Sequence, residues 1–377
     1  MKVLVTGGAG FIGSHVVDLM VQDDREVVVL DNLDPQVHGE QAAPPPWIQR
    51  HIDSESVEFL KGDIRDRSDV DRALDRVDTV VHLAAAVGVG QSMYEPDYYT
   101  SVNDHGQGVL MAAMVADPGR FRRFVVASSM SIYGEGAYLC PEHGTVYPRV
   151  RGGAQLEAGR WEPVCPDCDG PLATTLTDED KPGEATSVYA ITKRTQEDLA
   201  ICVGDAYGIP TIALRFFNTY GSRQALSNPY TGVAAIFLGR LMNGRSPLIF
   251  EDGNQTRDLI HVSDVAESVL RAVSADIDRS GAYNVCTGRP ISVLDVARVL
   301  ARRIGVEVAP EVVGRSRTGD IRHCVGDPAR ARDVLGFEAR MELGAGLDEL
   351  IAWSGGQTAL DRVDDSMRAL EARGLVR

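Results

Sequence analysis

Along its first half the chain alternates short apolar runs with stretches of helical periodicity. The runs KVLVT, EVVVL, VEFLKG, TVVHLAA and RFVVAS show little of the polar alternation of a half-exposed strand. A strand reads this way when helices cover both of its faces, as in a parallel sheet. Between the first two runs the spacing predicts a helix over about Ile12 to Val21. A second helical pattern runs from Tyr189 to about Tyr207 and leads into another buried strand, TIALRFF. Residues 34–51, DPQVHGEQAAPPPWIQRH, are broken by prolines and read as a surface loop. Beyond Gly221 the pattern changes to helices such as TGVAAIFLGRLMNG, VSDVAESVLRAV and VLDVARVLARRIG with short strands between them. The expectation is an α/β fold: a doubly wound parallel sheet of Rossmann type in residues 1–220, interrupted by an insertion at 136–178. A smaller α/β substrate lobe follows in residues 221–377, with the chain recrossing between the two.

A chain of 377 residues has room for this arrangement. Its formal charge of −16 argues against nucleic acid or an anionic membrane surface as the main partner, since both need clustered cations. No apolar run approaches the roughly 18 residues of a membrane span. The opening MKVLVTGG reads as a strand and turn rather than a signal peptide. Six cysteines without a secretory signal suggest reduced thiols in a cytoplasm. Of these, Cys202, Cys286 and Cys324 lie in periodic segments and are expected to be buried. Lysine is scarce, which singles out Lys193.

VTGGAGFIGSH follows the first strand and opens the first helix, spacing Gly7, Gly10 and Gly13 three apart. Small residues let the backbone approach a pyrophosphate, and the helix N-terminus supplies amide donors. The second strand ends in LDN, placing Asp31 where a carboxylate binds the ribose hydroxyls of NAD. Asn32 beside it is neutral and no arginine follows to accept a 2′-phosphate, so NAD is expected rather than NADP. GDIRD puts Asp63 and Ile64 at the end of the third strand, near an adenine ring. HLAAA puts Leu83, Ala84 and Ala85 at the end of the fourth.

Ser129 closes the fifth run in VVASSMSIYG. Tyr189 and Lys193 are four apart on a helix and share a face. A phenol is a poor base at neutral pH, but a neighbouring ammonium and a cationic nicotinamide both favour the phenolate. Ser129 would hold a substrate oxygen while Tyr189 moves its proton and hydride passes to or from the nicotinamide. The Y-x-x-x-K spacing alone is common on helix surfaces. Its weight here comes from the dinucleotide pattern and the serine strand that precede it.

Between serine and tyrosine lie YLCPEHG and VCPDCDG. Cys140 with His143, and Cys165 with Cys168, form two pairs with two residues between partners. Together they would close a tetrahedral structural zinc site with no open position. The insertion is poor in apolar residues, so metal binding would supply folding free energy that its own core lacks. The alternatives are unrelated surface residues or a Cys165–Cys168 redox pair.

GGAGFIG, LDN, GDIRD, SSMSIYG, YAITK, LRFFNTYG, RDLIHVSDV, YNV and RTGD together resemble the extended short-chain dehydrogenase/reductase family, specifically its nucleotide-sugar epimerases and dehydratases. The likeness covers nearly everything outside 136–178. It implies that Phe11, Ile12 and Asn103 join the cofactor set and that Phe217 lines the nicotinamide site. It also implies that Asn218 sits at the substrate phosphates, that Arg257 and Arg317 grip the diphosphate, and that Asp320 lies near the nucleotide ribose. Dehydratases of the family carry an Asp-Glu pair directly after the catalytic Ser or Thr. Here those positions are Met130 and Ser131, so elimination of water lacks its proton partners.

The resulting expectation is an NAD-dependent enzyme that inverts C4 of a nucleotide-activated hexose through a 4-keto sugar, as a cytoplasmic homodimer. The insertion and SNPYTGVAAIF are similar to a bacterial group acting on dTDP-6-deoxyhexoses, which ranks L-rhamnose/6-deoxy-L-talose interconversion first. The alternatives are a reductase of a dTDP-4-keto-6-deoxyhexose, a UDP-hexose 4-epimerase or decarboxylase, and a dinucleotide-sensing binding protein. The retained Ser129, Tyr189 and Lys193 speak against the last, because a sensor needs no proton relay.

Overall fold

The computed structural model describes residues 1–39, 43–230 and 232–376. The middle of the proline-rich stretch, 40–42, and Thr231 at the head of a predicted helix lie outside the described residues. The main sheet has seven strands: β1 (Lys2–Thr6), β2 (Glu26–Asp31), β3 (Val57–Lys61), β4 (Thr79–His82), β5 (Arg123–Ser129), β6 (Thr211–Phe216) and β7 (Gly281–Val285). All are parallel, in the order β7-β6-β5-β4-β1-β2-β3. The chain therefore winds one way from β1 to β3 and the other way from β4 to β7. The crevice opens at the C-terminal ends of β1 and β4, where that direction switches.

The apolar runs are explained by their two-sided burial. Val3, Val5, Val27, Val29, Val81 and Val125 face a core closed by helices α1 (Phe11–Gln22) and α4 (Val262–Ser274). Leu4, Val28, Leu30, Val80, Phe124 and Val126 face the opposite core, closed by α2 (Gly106–Met114) and α3 (Val188–Tyr207). Helix α3 is fixed at both ends. Ser187 Oγ accepts from Ala190 N–H at 3.1 Å, and Gly208 terminates the helix in the left-handed region.

The second lobe builds a small sheet from Asn218–Tyr220, Thr256–His261, Pro290–Ser292 and His323–Cys324. Its core includes Leu238, Val296, Leu300, Leu347 and Leu350. The chain recrosses on the way: α4 packs on α1, and β7 extends the main sheet before the backbone returns to the lobe. The insertion forms a three-stranded antiparallel sheet of Gly144–Val146, Tyr138–Cys140 and Ala173–Thr174. Tyr138, Cys140, Val146 and Cys165 are buried together within it.

Two expectations need correction. The proline-rich stretch is not wholly loop, because Pro35–His38 and Pro46–Asp53 are helical. Proline at the first helical position is preorganised for the helix and loses no hydrogen bond there, and Ile48 in the first turn of Pro46–Asp53 is fully buried. Cys286 and Cys324 are buried as expected, but Cys202 is exposed on the outer face of α3. Among the described residues no helix is long and apolar enough to cross a membrane.

Candidate functional site

A cavity of about 460 Å³ opens over the ends of β1, β2, β4 and β5. The glycine turn forms its floor. Gly7 adopts φ +70°, and a Cβ there would meet Ala84 N at 2.8 Å. A Cβ on Gly13 would lie 2.1 Å from Gly7 O. Only glycine lets α1 begin this close to β1 and β4. The first amides of α1, at Phe11 and Ile12, have no intrahelical acceptor and border the cavity beside Gly10. A pyrophosphate fits this donor set.

Asp31, at the end of β2, is buried. Its Oδ2 accepts from Ala9 N–H at 3.0 Å and its Oδ1 from Leu33 N–H at 2.9 Å. These bonds aim the carboxylate at the cavity edge, next to Asn32. Asp63 and Ile64 line the same edge, as do Leu83, Ala84 and Ala85. Arg65 holds the Asp63 carboxyl below its usual range through a 2.6 Å bond, and burial opposes that shift. Asn103 is not brought to the cavity. It is fully buried, accepting from Ala86 N–H at 2.8 Å and donating to Thr192 Oγ1 at 2.9 Å. Its amide ties the segment after β4 to α3 and so acts behind the cofactor wall.

Sequence reasoning missed the cover of this cavity. Tyr98 Oη donates to Asp34 Oδ2 at 2.8 Å and Gln36 pairs with Gln91 at 2.9 Å, drawing the segment after β2 across the opening. Both partners lie in stretches without regular periodicity, so no local pattern marks them.

Ser129, Tyr189, Lys193 and Phe217 meet at the inner end of the cavity. Burial raises the Tyr189 pKa, and the Ser129 hydroxyl beside it opposes the rise. Ser129 Oγ also accepts from Ser131 Oγ at 2.9 Å. Lys193 Nζ donates to Gln196 Oε1 at 2.7 Å. Burial lowers its pKa to about 7, against the pull of Glu197 and Asp104. Behind it Gln196 touches His82 Nε2 at 3.3 Å, and His82 Nδ1 lies 2.7 Å from Thr6 Oγ1. Burial, with Lys193 adding to it, drives His82 to about 3, so this imidazole is neutral. Gln196 stands three residues after Lys193, a spacing that marks it as a face partner in hindsight.

A second cavity of about 300 Å³ adjoins the first, sharing Met130, Ser131 and Asn218 with it. The remaining expected substrate residues, Arg257, Arg317 and Asp320, line this second space. Arg317 Nε donates to Asp320 Oδ2 at 2.8 Å, and its guanidinium lies 4.5 Å from the Phe250 ring centre. Arg257 donates to the carbonyls of Thr256, Arg322 and Ile321 at 2.8, 3.1 and 2.9 Å. Burial lowers its pKa, with Asp320 and Glu135 opposing. Asn218 Oδ1 is buried and finds no hydrogen-bond partner among the described residues. The two cavities form one cleft: dinucleotide-sized on one side, lined by two arginines on the other, with Ser129 and Tyr189 at the junction.

In the insertion, the ligand atoms of Cys140, His143, Cys165 and Cys168 all lie within 4.8 Å of one another. Cys140 Sγ is 3.6 Å from His143 Nδ1 and 3.8 Å from Cys168 Sγ, and Cys165 Sγ is 3.6 Å from His143 Nδ1. With Zn–S near 2.3 Å and Zn–N near 2.0 Å, a tetrahedron has edges of about 3.8 Å between sulfurs and about 3.6 Å between sulfur and nitrogen. These three separations match those edges, and 3.8 Å between Cys140 and Cys168 is far too long for a disulfide.

The sequence pattern described as the NAD dependent epimerase/dehydratase family matches residues 3–150 and 163–286, leaving 151–162 uncovered. The chain is 35% identical to dTDP-L-rhamnose 4-epimerase of Burkholderia thailandensis, over 93% of this chain and 94% of that one. Among solved structures it is similar to UDP-glucose 4-epimerase of Thermus thermophilus in complex with NAD. That match has a TM-score of 0.73 at 29% identity and covers 95% of this chain and 100% of the other. It is also similar to UDP-N-acetylglucosamine 4-epimerase of Methanobrevibacter ruminantium, with a TM-score of 0.74 at 26% identity, covering 95% and 99% of the respective chains.

Proposed function

Because the chain belongs to the NAD dependent epimerase/dehydratase family, we propose that it is an NAD-dependent nucleotide-sugar 4-epimerase whose substrate pair is dTDP-L-rhamnose and dTDP-6-deoxy-L-talose. The observation that carries the reaction class is the meeting of Ser129, Tyr189 and Lys193 in one cavity, with Met130 and Ser131, the two residues after Ser129, lining both cavities. Neither of those two residues ionises, so the site holds one proton relay and not the additional acid and base of an elimination. The 35% identity to a dTDP-L-rhamnose 4-epimerase supports the choice of sugar and base.

NAD, when bound, would supply the hydride acceptor and donor for oxidation and re-reduction of the sugar at its C4. The glycine turn and the first amides of α1 hold its pyrophosphate, and Asp31 holds the adenosine ribose. Ser129 Oγ donates to the sugar O4 and fixes it against Tyr189. Tyr189 Oη accepts the O4 proton as C4 is oxidised and returns it on reduction. Burial makes this phenol a weak base by itself. The Lys193 ammonium, held by Gln196, supplies the charge that favours the phenolate. Arg257 and Arg317 bind the diphosphate, Asn218 Oδ1 accepts from the substrate, and Asp320 contacts the nucleotide ribose. With its charged anchor at the diphosphate, the oxidised sugar can leave Ser129 and turn its other face to the cofactor.

The insertion holds a structural zinc through Cys140, His143, Cys165 and Cys168, supported by separations that fit a tetrahedron. A cytoplasmic homodimer completes the reading. All six cysteines are free, as a reducing compartment requires, and sedimentation checks the dimer. The decisive experiment incubates the purified protein with dTDP-L-rhamnose and with UDP-glucose and follows C4 inversion by NMR. Epimerisation of the dTDP sugar supports the reading, whereas epimerisation of the UDP sugar alone defeats the substrate choice.

A further inference from the structure

A buried cluster of charge lies between the Cys/His insertion and the second cavity. Arg151 belongs to the insertion and is 6% exposed, while Arg322, Glu135 and Glu251 are 1%, 0% and 3% exposed. Arg151 Nη1 donates to Glu251 Oε2 at 2.9 Å and Nη2 donates to the Asp320 carbonyl at 3.2 Å. Arg322 Nη1 donates to the same Glu251 oxygen at 2.9 Å, and its Nε donates to Glu162 of the insertion at 2.8 Å. Glu135 accepts from the backbone N–H of Arg322 at 2.8 Å and of His323 at 3.2 Å. Tyr138, packed against Cys140 and Cys165, donates to Glu135 at 3.1 Å.

Most of these bonds end on residues 320–323, and the other two, Arg151 to Glu251 and Tyr138 to Glu135, brace the partners of that segment. That segment carries Asp320, and its carbonyls at Ile321 and Arg322 hold the Arg257 guanidinium. Buried ion pairs such as these bring little net stability but specify one arrangement of the backbone they touch. Arg151 and Glu162 also bracket the stretch 151–162, which the family pattern leaves uncovered. Two members of the clamp thus stand at the ends of a stretch outside the family pattern.

We propose that the insertion positions the nucleotide-diphosphate end of the substrate site: Arg151, Glu162 and Glu135 are positioning residues that fix segment 320–323 and, through it, Asp320 and Arg257. The inference rests on the reading that Arg257 binds the substrate diphosphate. None of the three touches the cavity holding Tyr189 and the glycine turn, so the clamp acts on substrate affinity and leaves the cofactor side alone.

The test uses the full chain with NAD bound, the variants Arg151→Met, Arg151→Lys, Glu162→Gln and Arg257→Met, and dTDP and UDP as probes in calorimetry. The KM and kcat of sugar turnover are measured alongside. Arg151→Met and Glu162→Gln are expected to weaken dTDP and UDP by about tenfold and raise KM in proportion, with kcat changed by less than about twofold and NAD content unchanged. Arg151→Lys should recover much of the loss, which a change in packing volume alone does not explain. Glu162 has a side chain 62% exposed, so Glu162→Gln keeps its fold even where Arg151→Met does not. Parental dTDP affinity in Glu162→Gln, with Arg257→Met weakened, overturns the clamp and leaves the site reading standing. Parental affinity in Arg257→Met overturns the site reading and the clamp with it.

Discussion

Replacing Lys193 with methionine probes the electrostatics of the catalytic face independently of turnover. The lysine is 3% exposed, and burial brings its pKa from 10.5 to about 7. A folded pKa below the unfolded one means that the unfolded chain binds more protons between about pH 7 and 10.5. Folding stability therefore rises with pH across that window, and the full penalty of the buried charge is present below it. At about 1.36 kcal/mol per unit the penalty is on the order of 5 kcal/mol. Methionine carries no proton and abolishes this slope. It also leaves Gln196 Oε1 without its donor, at ~1–3 kcal/mol, but that loss is the same at every pH. Urea unfolding of both proteins at matched NAD content, from about pH 6.5 to 10, separates the two effects. The parent should gain on the variant by several kcal/mol as pH rises. Parallel stability curves across that range would show that Lys193 is not held in a charge-excluding environment and would refute this reasoning.

Tyr189→Phe keeps the ring packed edge-on against Tyr99 but removes the oxygen that moves the proton. NAD should remain bound while turnover falls by at least ~10²- to 10⁴-fold, and near-parental activity would remove Tyr189 from its role. Asp31→Ala should narrow the preference for NAD over NADP, measured by titration of nucleotide-free protein, because the carboxylate that repels a 2′-phosphate is gone. Metal analysis of protein prepared under reducing conditions without chelator should find about one zinc per chain. Cys165→Ser with Cys168→Ser should lose that zinc and expose 136–178 to protease while NAD stays bound, and a metal-free parent rejects the site.

Much of the fold was legible because two-sided burial writes itself as unbroken apolar runs. Six strands of the main sheet start where their apolar runs predict them, with β4 ending three residues short of its run, and α1 and α3 lie within a residue of their predicted bounds; β7, which lies beyond the predicted boundary at 220, was not foreseen as part of this sheet. The residues grouped by the glycine, serine and tyrosine motifs share one cleft for a related reason. Each sits at the C-terminal end of a strand or in the first two turns of a helix, where a parallel sheet gathers its functional groups. Asn103 stands behind the cavity wall, a placement its motif does not reveal, because a polar residue consumed by internal hydrogen bonds looks the same in a sequence as one that faces a ligand. The cluster of Arg151, Arg322, Glu135 and Glu251 was invisible. Its members are separated by up to 187 residues, and an isolated arginine or glutamate in a polar stretch reads as solvated surface.

The return of the chain from the substrate lobe to the main sheet also bears on how the protein emerges from a ribosome. Strand β6 is complete at Phe216, yet its outer neighbour β7 begins at Gly281. At roughly 5–20 residues per second, synthesis of the intervening stretch takes on the order of 3–13 s, during which β6 stays an open edge. Helix α4, which closes the core beneath α1, is also still to come. A nascent chain halted in this interval presents a hydrophobic sheet with one face partly bare and one edge unpaired, the condition under which strands pair with the wrong neighbour. The cofactor half thus reaches its final form only after much of the substrate half has been translated, and a truncation after Gly221 should yield aggregate rather than a free-standing dinucleotide-binding domain.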